Sequence, residues 1–227
     1  MSAGVIRFLK ASSVLLVIML SLPAPAQEAK PDWVLQVARS SSADKSSGTV
    51  RDIKPEYEKL AKGRFLVSNS RIQDRIFGRS VILLITHDQN GSMGLIINRQ
   101  TDTTVAALLP DIKGLAKSPE ALYFGGPVSL SSVFLLVRSG SKPDESENVI
   151  DNVYISRSIG LLKRLADDRR REEKFRLYAG YAGWAAGQLE AEVIRGDWTV
   201  VSADPEIIFD KDPDGIWDRL MPQKVNI

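Results

Sequence analysis

The stretch S-V-I-L-L-I-T-H-D-Q-N-G-S-M-G-L-I-I-N-R, residues 80–99, decides how the chain is read. Residues 80–86 and 93–98 are short apolar runs rich in isoleucine and leucine, bounded by turn residues, the signature of strands. Between them stands D-Q-N-G, and Asn90-Gly91 tolerates the positive φ angles that tight hairpin turns demand. The spacing predicts strand, turn, strand. His87, the only histidine of the chain, then stands where the chain leaves the first strand. Adjacent residues of an extended segment point to opposite faces, so Asp88 is poorly placed to orient the His87 imidazole. His87 reads first as a polar residue at a hairpin edge, and only second as a catalytic base.

Working outward, residues 64–68, 121–124, 132–138, 149–155, 174–182 and 198–202 carry the same apolar signature and read as further strands. Helical signals lie between them. Residues 55–62 have Pro55 at the start and Gly63 past the end. Residues 103–109 have Thr101 or Asp102 as cap, and residues 156–169 place Ile159, Leu162 and Leu165 on one face. Residues 185–194 read as a helix despite Gly187, residues 204–210 and 216–220 as short terminal helices, and residues 139–148 as a polar loop. Strands and helices intermingle without the regular alternation of a doubly wound fold, and no repeat or second core is evident. The expectation is a single α+β domain.

Composition narrows the chemistry. The chain has 227 residues and no cysteine, which excludes disulfides, thiolate metal sites and a cysteine nucleophile. A single histidine excludes a histidine-rich metal centre within one chain. Carboxylate-bound calcium or magnesium stays open, but no metal site and no cofactor are expected.

The N-terminus begins with Arg7 and Lys10 and no acid, continues with the apolar run A-S-S-V-L-L-V-I-M-L-S-L (residues 11–22), and reaches A-P-A at Ala24–Ala26. A basic start, a short apolar middle and small residues before Gln27 describe a secretory signal peptide over residues 1–26. The apolar run is shorter than the roughly 20 residues a membrane span needs. Residues 27–54, serine-rich at R-S-S-S-A-D-K-S-S-G, read as a flexible polar leader, and residues 55–227 as the domain. Residues 1–26 carry two bases and no acid, so their removal takes the net charge from +2 to zero. A neutral domain lacks the positive field that nucleic-acid binding needs. The run D-D-R-R-R-E-E-K (residues 167–174) mixes both signs and reads as solvated surface. The expected location is secreted or periplasmic, with membrane contact only through the signal segment.

Three stretches are candidates for chemistry. Gly125-Gly126, directly after a strand, can aim backbone N–H groups at an anion, but neither phosphate-binding glycine motif is present and no lysine or helix follows in register, so the pair reads first as a sharp turn. The stretch A-G-Y-A-G-W-A-A-G-Q-L-E (residues 179–190) surrounds Tyr181 and Trp184 with glycines and offers Gln188 for polar contacts, either as a ligand pocket or as tight packing with Trp184 in the core. Among the acids, Asp74, Asp88, Glu190 and Asp197 lie near glycine-rich turns. The expected ligand-binding residues are Asn90, Asn98, Arg99, Gly125, Gly126, Trp184 and Gln188, with His87 the one catalytic candidate.

In order, K-G-R-F-L-V (62–67), R-S-V (79–81), N-G-S-M-G-L-I-I-N-R (90–99), Y-F-G-G-P-V (123–128), V-Y-I-S (153–156), G-Y-A-G-W-A-A-G-Q-L-E (180–190) and G-D-W (196–198) resemble the YqgE/AlgH family. The resemblance implies a mixed, bifurcated sheet curled into a pseudo-barrel with short flanking helices. It implies no reaction and carries no catalytic residues over. Gln100 stands where a proline usually follows N-R in the family, and Ala186 where proline is common in G-W-x-P-G. The function expected is a non-enzymatic module of the cell envelope that binds a small molecule or an envelope protein. The alternatives are a cofactor-independent hydrolase using His87 with a carboxylate, and the transcriptional regulation proposed for part of the family. The last would require the cytosolic location of most family members.

Overall fold

A computed structural model of the protein describes residues 56–116, 120–167 and 173–221. The expected signal peptide and the whole of the expected leader lie outside them. Among the described residues ten strands form one sheet: β1 (Arg64–Ser68), β2 (Val81–Asp88), β3 (Gly91–Ile96), β4 (Gln100–Thr104), β5 (Ala121–Phe124), β6 (Val128–Arg138), β7 (Ser146–Ile150), β8 (Val153–Ser156), β9 (Lys174–Ala185) and β10 (Trp198–Ser202). In the same described residues five helices accompany them: α1 (Val105–Leu108), α2 (Ile159–Asp167), α3 (Gln188–Ile194), α4 (Pro205–Ile208) and α5 (Ile216–Leu220). Short 3₁₀ turns lie at Glu56–Lys59 and Lys113–Leu115. Among the described residues no helix is long and apolar enough to cross a membrane.

The main strand order is β10-β1-β2-β3-β9-β6-β8-β7, and β9 is where the sheet divides. The first half of β9 lies parallel to β5 (Leu122↔Leu177 to Phe124↔Ala179), which in turn pairs with β4. Its last four residues lie antiparallel to β3 (Gly91↔Ala185 to Gly94↔Ala182), while β6 follows β9 on the other side. The sheet is therefore mixed and bifurcated, and it curls into a half-barrel. The curl brings β7 back toward the start of β1: a Cβ built on Gly63 would stand 3.0 Å from the Val149 carbonyl oxygen.

The burial pattern explains why the apolar runs look continuous. Val81, Leu83 and Ile85 face the inside of the curl, with Phe65, Leu95, Phe134, Leu136, Ile155 and Tyr178. Ile82 and Leu84 face outward, under α3, with Trp184, Leu189, Val193 and Trp198. A third cluster lies behind the other branch, where Leu161, Leu162 and Leu165 of α2 cover Leu135, Val137 and Leu177. A sheet covered on both faces needs apolar residues at successive positions. The C-terminal segment plugs one end of the curl with Ile208, Phe209, Ile216 and Trp217.

Several expected bounds change. Residues 149–155 are not one strand but the β7–β8 hairpin, which turns at Asp151-Asn152 with Asp151 at φ 43°. The expected helix at 103–109 begins at Val105, because Thr101–Thr104 continue β4; the cap is Thr104, whose hydroxyl accepts from the Ala107 N–H. Ile159 of α2 is half exposed, and the buried face is Leu161, Leu162 and Leu165. The strand expected at 174–182 runs on to Ala185, and α3 starts only after Gly187, which takes φ 74°. In the β2–β3 turn Asn90 keeps a negative φ, and Gly91 alone is positive, at 135°.

Candidate functional site

Two features compete to be the functional site, and one irregularity of β2 separates them. Leu84 pairs with Gly94, but the next pairs are Thr86↔Met93 and His87↔Ser92. One extra residue on β2 makes a bulge, which shifts the side-chain phase beyond it. Ile85 and Thr86 therefore both face the inside of the curl. His87, which strict alternation from Val81 would also place inside, faces outward beside Ser92 and α3.

On the inside lies an open groove of about 850 Å³ between the β2–β3 tip and the β6–β8 branch. This size is within the usual range of ligand sites, about 300–1,000 Å³. Ile85, Met93, Phe134 and Ile155 make its apolar floor. Thr86, Lys142, Asp144, Glu145, Glu147 and Arg157 surround it. The Arg157 guanidinium lies 5.5 Å over the Phe134 ring, a cation–π contact. Among the described residues none of these five charged side chains makes an ion pair. The loop on the rim is fixed from below: Ser156 Oγ donates to the Glu145 carbonyl at 2.6 Å, and Ser146 Oγ donates to that of Pro143 at 2.5 Å. Glu145 is held at φ 53°, a conformation that costs a non-glycine residue on the order of 1 kcal/mol.

On the outside, His87 Nδ1 lies 2.8 Å from Ser92 Oγ, and Nε2 lies 4.0 Å from Glu190 Oε1. Asp88 is not the histidine's partner; its carboxylate accepts from the Asn90 N–H at 2.7 Å and shapes the turn. Beside this group, Glu192 accepts from the indole N–H groups of both Trp184 and Trp198 at 2.8 Å, and from Gln188 Nε2 at 3.0 Å. Gln188 Oε1 in turn accepts from the Ala185 N–H at 3.1 Å. Trp184 is core, packed edge-on to Trp198 at 6.2 Å.

The expected ligand residues and the catalytic candidate His87 thus fall into two groups, neither of which lines the groove. His87, Asn90, Trp184 and Gln188 gather at the hairpin tip and the start of α3. Asn98, Arg99, Gly125 and Gly126 gather where the sheet divides, and there they bond to backbone. Asn98 Oδ1 accepts from the Val81 N–H at 2.8 Å and Nδ2 donates to the Arg79 carbonyl, while Arg99 Nη2 donates to that of Gly78 at 2.6 Å. Gly125 bridges both branches: its N–H donates to Ala179 and its carbonyl accepts from Ile96, each at 2.9 Å. Gly126, at φ 148°, passes so close to β9 that a Cβ would stand 2.2 Å from the Tyr181 carbonyl carbon. Of the remaining carboxylates, Asp74 accepts from the Ile76 and Phe77 N–H groups, and Asp197 pairs with Arg195 at 2.6 Å.

The expectation of no metal overlooked D-K-D-P-D-G at residues 210–215, whose alternating aspartates and glycine have the spacing of a calcium loop. In the structure Arg219 pairs with Asp210 at 2.7 Å and with Asp212 at 3.4 Å. Among the described residues no three acids or histidines converge on a cation position. Nearby, buried Arg176 fixes the C-terminal plug, donating to the Ile208 carbonyl at 2.7 Å and to that of Asp210. It also lies 4.6 Å over the Tyr123 ring. Burial pushes the phenols of Tyr178 and Tyr123 above their ordinary range, with the Arg176 charge opposing.

Sequence comparison matches residues 65–225 to a family described as AlgH-like. A UPF0301 protein of Methylococcus capsulatus is 33% identical over 170 residues, 74% of this chain and 93% of that protein. A UPF0301 protein of Streptomyces avermitilis is 34% identical over 169 residues, 72% of this chain and 86% of that protein. Among solved structures, the AlgH protein of Pseudomonas aeruginosa is 32% identical with a TM-score of 0.58, over 78% of this chain and 89% of that one. Protein DIP2367 of Corynebacterium diphtheriae is 28% identical with a TM-score of 0.60, over 73% of this chain and 89% of that one.

Proposed function

The chain belongs to the AlgH-like family, and from that premise we propose that it is an exported, non-enzymatic binding module whose site is the groove between the two branches of the sheet. The observation that carries this reading is the groove itself: a groove of about 850 Å³ with an apolar floor, ringed by charged side chains that make no ion pair among the described residues. A floor of Ile85, Met93, Phe134 and Ile155 favours an apolar body, and a rim of both signs orients it. Export is supported by the basic start, short apolar run and A-P-A of residues 1–26. Small molecules and envelope proteins are the partners in keeping with that compartment and with a neutral mature chain.

The test has two arms. Cell fractionation with N-terminal sequencing gives a periplasmic product beginning at Gln27; a cytosolic product still beginning at Met1 contradicts export. The dye 1-anilinonaphthalene-8-sulfonate gains fluorescence with the folded protein and loses that gain in Thr86→Arg, a change at an exposed rim position. Equal fluorescence in both proteins contradicts the groove.

A second reading, hydrolysis by His87, draws on its 2.8 Å contact with Ser92 and the nearby Glu190. It ranks lower because Ser92 is only 8% exposed and Glu190 stands beyond hydrogen-bond distance of the ring.

A further inference from the structure

We propose that the groove accepts an extended segment of a partner polypeptide as an added β-strand, lying between the tip of β2 and the edge of β7. The inference rests on the groove being the binding site and names the class of partner.

The vacancy arises from the course of the chain. Strand β1 pairs with β2 only as far as Phe65↔Leu83, and the Gly63 N–H adds one bond to the Leu84 carbonyl at 2.9 Å. At Gly63, with φ 74°, the chain turns off that line. Strand β2 runs on to Asp88, so residues 85–88 have β3 on one side and, among the described residues, no strand on the other. Among the described residues strand β7 ends the sheet order and pairs with β8 alone. Among the described residues neither free edge makes a further backbone hydrogen bond. The two edges face each other across the groove, Ile85 and Thr86 from β2 and Ser146 and Glu147 from β7. Gly63 closes one end by touching both sides of the slot.

Unpaired strand edges are templates for another strand, and a strand laid in this slot meets one on each side. Its alternate side chains would point to the apolar floor, as the two-residue period requires. Charge narrows the partner further. Asp144, Glu145 and Glu147 lead into and along β7 without ion pairs among the described residues. A strand docking beside them is favoured by lysine or arginine at its outward positions. The partner is thus an extended peptide that alternates apolar residues with basic ones.

The test pans random peptides of about 12 residues, long enough to cross the slot, against the protein and measures amide exchange with a selected peptide bound. The expected result is enrichment of apolar/basic alternation, with residues 85–88 and 146–150 protected together by at least about tenfold. Asp144→Lys combined with Glu147→Lys, both exposed positions, weakens the selected peptide by at least about tenfold. No enriched pattern, protection of one edge alone, or protection elsewhere overturns the proposal. If the dye still binds in a Thr86-dependent way while no strand-like peptide is found, the groove stands and the added strand is refuted. If both fail, the groove itself is wrong.

Discussion

Replacing Gly126 by alanine separates a glycine that shapes the fold from one that cradles an anion. A Cβ at that position would lie 2.2 Å from the Tyr181 carbonyl carbon and 2.4 Å from the Ala182 nitrogen. The φ of 148° adds strain for any side chain. All these neighbours are backbone of β9, so no side-chain rotation relieves the clash. β6 and β9 must move apart next to the Val128↔Tyr181 pair, where the sheet divides. The cost is about 4 kcal/mol or more, the level reached when strain and overpacking combine. For a domain of this size that is a fall in Tm of roughly 8–16 °C. Gly187→Ala is the control, because Gly187 has φ 74° but nothing within 4 Å of its Cβ position. That change costs about 1 kcal/mol, or roughly 2–4 °C. Urea unfolding and calorimetry on the two variants give the comparison. A Gly126→Ala protein as stable as Gly187→Ala would refute the reasoning, and one that is stable but no longer responds to phosphate would restore the anion cradle.

Glu192→Ala strips the shared acceptor from two indole N–H groups and lowers stability by about 2–4 kcal/mol in urea titrations, with the tryptophan emission of the folded protein shifted. His87→Ala stays folded and binds the dye as the parent does, since its side chain lies on the face away from the groove; a lost dye signal would show the β2 phase to be misassigned. At alkaline pH the raised phenols of Tyr123 and Tyr178 favour the folded state's neutral form. Their contribution is complete below about pH 10 and falls as pH rises above it, where the unfolded chain ionises first. Tyrosinate absorbance should therefore rise in step with unfolding for these two groups, and an early rise with the fold intact would contradict their burial.

The hairpin was legible because residues 80–98 combine two apolar runs with a turn sequence, and strands 64–68, 121–124 and 198–202 were bounded as they occur. Trp184 in the core was one of the two readings its glycine-rich surroundings left open. The groove was not legible. Ile85, Phe134 and Ile155 look like any core residue in sequence, and only the curl brings chain segments some 50 and 20 residues apart to one mouth. The bulge at Ile85 was equally hidden, because register belongs to a pair of strands and no feature of β2 alone announces it. Gly125, Gly126 and Gly180 were noticed as unusual, but what they do is decided by backbones crossing at the division of the sheet.

The central claim is that binding occurs inside the curl and not at the histidine tip. Methyl NMR with labelled isoleucine and methionine, recorded while the selected peptide or the dye is titrated, tests it most directly. The account predicts that Ile85, Met93 and Ile155 shift together while Ile82 and Ile194, on the α3 side, stay still. Shifts confined to Ile82 and Ile194, with the groove methyls unmoved, would contradict it.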